Sequence, residues 1–162
     1  MTDMNSTYIG ILSDTLRRKL AVLEELSEIT ARQSKLLAEE ELDIDAFGDT
    51  VTLKEEQLEK LNSLDDGFMD IYNKVAEEMK ANPNAYKDKI LEARGLIRSV
   101  TELSTGLMAA EERNHTAMSI HMTKGRRKVK DFKVSSKTAA AYYKNMSGKH
   151  REGDSYFFSQ KK

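Results

Sequence analysis

The spacing of apolar positions predicts three long helices. Ile9, Leu12, Leu16, Leu20, Leu23, Leu26 and Ile29 recur at steps of three and four and are followed by Leu36 and Leu37, a helical period and not a strand period. The start of this helix falls between Asn5 and Ser13. The stretch EEELDIDAFGDT stops it and starts another: Asp43 is placed to cap the free amides of a new helix, with Leu42 and Phe47 at the staple positions on either side.

From that restart the series Ile44, Phe47, Val51, Leu58, Leu61, Phe68, Tyr72, Val75 and Met79 keeps heptad register, with Lys54 and Asp65 as polar interruptions. It predicts one continuous helix of roughly 55 Å at the usual rise per residue. The helix ends at KANPNAY, because Pro83 disfavours helical geometry at Asn82. With Asn82 as cap and Pro83 at the first position, a third helix runs to about Lys124 through Tyr86, Ile90, Ala93, Ile97, Val100, Leu103, Leu107, Ala110, Ala117 and Ile120. Short links at both turns make neighbouring helices antiparallel. The pattern therefore predicts an all-α fold over residues 1–124, an elongated antiparallel three-helix hairpin bundle with coiled-coil character.

The third helix changes in its second half. Ser104, Thr105, Gly106, Asn114, His115, Thr116 and Ser119 thin the stripe, while Met108, Met118 and Met122 supply flexible thioethers in place of branched hydrocarbon. Methionine adapts to varied partners, so this stretch reads either as ordinary core or as a groove for a partner's helix.

Composition narrows the function classes. A chain of 162 residues with one proline and a third of its side chains charged has room for one core and suits long helices better than a turn-rich sheet. The absence of cysteine excludes disulfides, thiolate zinc sites and thiol catalysis. No apolar run approaches the roughly 18 residues of a membrane span. The opening MTDMNSTYIGIL lacks the basic region of a signal peptide, so a cytoplasmic location without membrane insertion is expected.

Glu111 and His115 lie four apart on the third helix, with Glu112 and His121 nearby, which is the spacing of a metal-ligand pair. A carboxylate-bridged centre needs matching ligands from other helices, and no second Glu-x-x-His and no His-Glu-x-x-His occurs. These residues read as a solvated face, and neither a metal nor another cofactor is expected. No phosphate-cradling glycine loop, nucleophile elbow or serine with a histidine and acid in a known spacing is present, so the chain is not expected to be an enzyme.

The net charge of −1 conceals a division. Residues 1–124 carry 15 basic and 24 acidic side chains, a balance of −9, whereas residues 125–162 carry 11 and 3, a balance of +8. The Ser, Gly and Lys-rich end has too little apolar surface to order itself and predicts a mobile basic tail. Its RRKVK run at 126–130 would suit a phosphate backbone, and its rings would stack on bases. No nucleic-acid module accompanies it, and the acidic body repels the same polyanion, so nucleic acid is not expected as the partner. Tyr142, Tyr143, Tyr156, Phe157 and Phe158 fit better as rigid amphipathic anchors for another protein. Self-association through the second helix's heptads, as a coiled-coil scaffold, is the alternative reading.

The restart LDIDAFGDTVTLKEEQLEKLNSL, with Glu55, Glu56, Gln57 and Leu58, and the close AAAYYKN followed by SYFFSQKK resemble the FlgN family of bacterial flagellar export chaperones over nearly the whole chain. The resemblance implies a cytoplasmic chaperone, not an ATPase, that holds hook–filament junction (hook-associated) proteins by their terminal helices and delivers them to the type III export gate. It implies that the client contact lies in the carboxy-terminal third, on Leu103, Leu107, Met108, Met118 and Met122. It also implies a gate-docking tyrosine near the end, with Tyr142 or Tyr143 as candidates and Tyr156 and Phe157 beside them.

Overall fold

A computed structural model describes residues 4–82 and 84–124. Four helical segments follow one another: α1 (Met4–Ala38), α2 (Ile44–Asp65), α3 (Phe68–Ala81) and α4 (Lys87–Lys124). α2 and α3 together form the predicted second helix, so the architecture is the all-α, elongated three-helix hairpin, with no strand among the described residues. α1 is the central element, packing along α4, α2 and α3.

Cross-links fix the directions. Arg17 of α1 meets Glu92 of α4 at 2.7 Å, and Ser34 meets Asn114 at 2.7 Å, so those two helices run parallel. Lys19 pairs with Asp65 and lies 4.5 Å from the centre of the Phe68 ring, Gln33 donates to Thr50 at 3.1 Å, and Lys74 lies 5.0 Å from the centre of the Tyr8 ring, so α2 and α3 run against α1. The first turn is built as its sequence predicts. Asp43 accepts a hydrogen bond from the Ala46 amide at 3.0 Å, and Leu42 and Phe47 pack in one cluster.

Two boundaries differ from the apolar reading. The second helix is broken at Asp66 and Gly67: the Asp66 amide closes α2 onto the Asn62 carbonyl at 3.1 Å, and Gly67 takes φ 79° in the left-handed region. A residue with a Cβ would be strained there by roughly 1–2 kcal/mol, which glycine avoids. The heptad stripe continues across the break, because Leu61, Tyr72, Val75 and Met79 are all buried in one core. The buried positions of those heptads are filled by the chain's own helices.

The other correction is at Asn82, expected to cap the last helix. It instead closes α3, its amide bonded to the Glu78 carbonyl at 2.9 Å, and α4 begins only at Lys87 after a turn. Pro83 lies outside the described residues. Tyr86 ends the turn at φ 62°, and its ring packs on the core, an apolar contact that offsets the backbone strain.

The core follows strict heptads, but not the ones that counting hydrocarbons picks out. On α1 the buried line is Ile9, Leu12, Leu16, Lys19, Leu23, Leu26, Thr30, Gln33 and Leu37. On α4 it is Ile90, Ala93, Ile97, Val100, Ser104, Leu107, Glu111, Asn114 and Met118. Each advances by alternating steps of three and four, the seam of a coiled coil. Polar residues sit in the seam itself, at Lys19, Thr30, Gln33, Ser104, Glu111 and Asn114.

Candidate functional site

The two halves of the bundle are filled differently. From Ile9 to Leu26 on α1, the neighbours are Tyr72, Val75 and Met79 of α3 and the first half of α4 through Leu107, a nearly continuous hydrocarbon core. Two charged residues are buried in this half, Arg94 of α4 and Lys19 of α1, and Lys19 has no exposed surface. It pairs with Asp65 and lies 4.5 Å from the centre of the Phe68 ring, at the joint between α2 and α3. Asp65, a polar interruption in the sequence, is there to meet Lys19.

Beyond Leu26 the interior turns polar. Lys54 of α2 reaches across to Glu111 of α4 and also donates to the Gln33 side-chain carbonyl of α1, so one ammonium ties three helices. Thr30 donates to the same Glu111 oxygen at 3.2 Å. Asn114 donates to the Thr30 carbonyl at 3.2 Å and accepts from Ser34 at 2.7 Å. Burial pushes the Lys54 pKa below its ordinary value of 10.5, and the Glu111 carboxylate opposes that shift without cancelling it. The second Glu111 oxygen is buried with no hydrogen-bond partner among the described residues. Beyond this layer a small apolar cluster of Leu37, Phe47 and Met118 closes the end, and His121 Nε2 donates to the Leu37 carbonyl at 2.9 Å.

Small residues at the outer edge of the polar layer leave the seam between α1 and α4 unfilled there. Ser27 and Ala31 on α1, with Leu103, Gly106, Leu107 and Ala110 on α4, line an open groove of about 400 Å³. Thr30 and Ser34 line it as well as joining the network, so the groove wall and the polar layer share residues. Glu102 and Arg113 are the charged residues of its lining, and both are solvent-exposed. A Cβ built on Gly106 would meet nothing within 4 Å, which shows how open this wall is.

Of the residues expected to meet a client, Leu103 and Leu107 line this groove, the first half-buried and the second buried. Met108 is half-buried against the hydrocarbon core. Met118 is not on a client-facing stripe: it is wholly buried, because it falls in the α4 seam opposite Leu37 and Phe47. Met122 is half-buried on the same cluster. Glu111 is not on a solvated face either, having no exposed surface. Among the described residues no group of three or more His, Cys, Asp or Glu side chains is arranged to hold a metal ion. Tyr142, Tyr143, Tyr156 and Phe157 lie outside the described residues, as does the RRKVK run. The residues that the apolar stripe missed are Lys54, Gln33, Glu111 and Asn114, and their signal was heptad position alone.

These features define a class: a coiled-coil-like helical bundle with an open groove beside a polar-cored end. No described helix is long and apolar enough to cross a membrane. The chain belongs to the FlgN family of flagellar export chaperones: the family model described as FlgN protein matches residues 4–147, most of its length. That match takes in all four helices, Tyr142 and Tyr143, and ends before Tyr156. Neither a curated protein nor a solved structure matches the chain.

Proposed function

We propose that this chain is the cytoplasmic chaperone that holds hook-associated proteins of the hook–filament junction before type III export, prevents their premature assembly and hands them to the export gate. The observation that carries the reading is the family match over residues 4–147. The groove on the second half of α4 supports where the client sits, because it offers aliphatic wall at Leu103 and Leu107 to a terminal helix that has no partner before assembly. Met108 and Met122 extend the contact from their half-buried positions, and Met118 supports it from beneath. A wall of small and polar residues holds such a helix with moderate affinity, as a carrier that must release its cargo requires. The tail rings Tyr142, Tyr143, Tyr156 and Phe157 then serve delivery to the gate.

The test is to mix the full chain with the hook-associated proteins of its own source and measure complex mass by size exclusion with light scattering. A one-to-one complex with one of them is expected, weakened by Leu103→Ser. Tyr142→Ala with Tyr143→Ala should leave capture intact and reduce export. Failure to form a complex with every junction protein would overturn the reading.

A further inference from the structure

The groove between α1 and α4 is electrically polarised along its length. Glu102 stands at one end of its α4 wall and Arg113 at the other, eleven residues or three helical turns away, a separation of roughly 16 Å. Among the described residues neither is in an ion pair. On the α1 rim the exposed Glu24 and Lys35 share the row of Ala31, seven residues before it and four after it, and they repeat the same order. Because α1 and α4 run parallel, both acids lie at one end and both bases at the other. Between the charges the lining is small or aliphatic at Ala31, Gly106, Leu107 and Ala110, with the hydroxyls of Ser27, Thr30 and Ser34 beside them.

We infer that Glu102 and Arg113 are the specificity residues of this groove, which selects an amphipathic helix with a small-residue apolar stripe bounded by one basic and one acidic side chain three turns apart. The inference rests on the reading that the chain holds a partner's helix, and adds which helix it accepts. The apolar stripe supplies attraction, and the rim charges fix register, because a helix displaced by one turn brings neither charge to its mate. A helix with like charges at both positions gains one attraction and suffers one repulsion. Salt weakens the selection without removing the apolar contact.

The experiment uses the full chain and two synthetic amphipathic peptides with an identical Leu and Ala stripe. One carries Lys and Glu eleven residues apart, and the other carries Glu at both places. By fluorescence anisotropy the Lys/Glu peptide should bind about fivefold more tightly, the scale expected of two exposed charge contacts. In the Glu102→Arg chain the preference should be lost, since the new arginine offsets Glu24 at that end of the groove. Gly106→Leu should abolish binding of both peptides while leaving the thermal midpoint unchanged or higher, because a Cβ there meets no neighbour within 4 Å and leucine favours the helix over glycine. The same ranking in the wild-type and Glu102→Arg chains, or undiminished binding to Gly106→Leu, would overturn the inference. A junction protein that binds wild type and Gly106→Leu equally overturns the groove and leaves the chaperone reading standing. Peptide selection with no junction protein captured supports the groove and overturns that identity of the client.

Discussion

The end of the bundle around Leu12, Leu16, Val75 and Ile97 and the end around Thr30, Gln33, Lys54 and Glu111 share one heptad geometry and differ in chemistry. At the first end, hydrocarbon meets hydrocarbon, and stability grows with the area removed from water whichever neighbour supplies it. At the second, each buried group needs a particular partner at a particular height. Removing two charges from water costs several kcal/mol apiece, which their attraction and added hydrogen bonds roughly offset. The polar end therefore contributes little net stability but sets register firmly, since a slip of one turn would strand Lys54 and Glu111 without each other. That end also holds α4 beside the groove at a fixed height.

This contrast can be broken most severely at the ion pair. Lys54→Ala, or Glu111→Ala, leaves a buried charge unmatched and should cost about 3–5 kcal/mol of unfolding free energy in a denaturant titration. The loss of amide protection should be concentrated at the end of α4 beyond Leu107. Leu23→Ala in the hydrocarbon half should cost about 2–5 kcal/mol, with protection lowered throughout the bundle, because it leaves a cavity and no orphaned charge. The sharpest comparison is the double replacement Lys54→Met with Glu111→Leu. It should be neutral or stabilising by about 1–4 kcal/mol. A large loss from that double change would mean that the polar layer contributes stability and not only register. Asp43→Ala, which removes the cap bonded to the Ala46 amide, should cost about 1 kcal/mol and act on the start of α2 alone.

Much of the fold was legible because the hydrocarbon half obeys the rule that apolar spacing reports. Ile9, Leu12, Leu16, Leu23 and Leu26 were read correctly from their periods, as was the cap at Asp43. The reading slid off the seam where polar residues occupy it. Apolar spacing picks out Leu20 and Leu36 where the seam holds Lys19 and Gln33, and Leu103, Ala110 and Ala117 where it holds Ser104, Glu111 and Asn114, whereas Ile29 is buried as its period predicts, beside Thr30. A buried lysine looks like a surface lysine until its partner is known, and Lys54 lies 57 residues from Glu111 in sequence. The break at Gly67 was hidden for a related reason: the stripe passes through it, and only the DDG triplet marked the left-handed turn. Of the two readings open for Met118, core or groove, its full burial fits the core. Leu103 and Leu107 were found as candidates, but the groove they line depends on Gly106 and Ala110, whose contribution is the volume they leave empty.

The claim that the groove beside the polar-cored end receives the client is tested most directly by amide hydrogen exchange of the full chain with and without a bound junction protein. Exchange should slow over residues 27–34 of α1 and 102–113 of α4 and stay unchanged over residues 72–79 of α3. Slowing confined to α3, with none on either wall of the groove, would contradict the account.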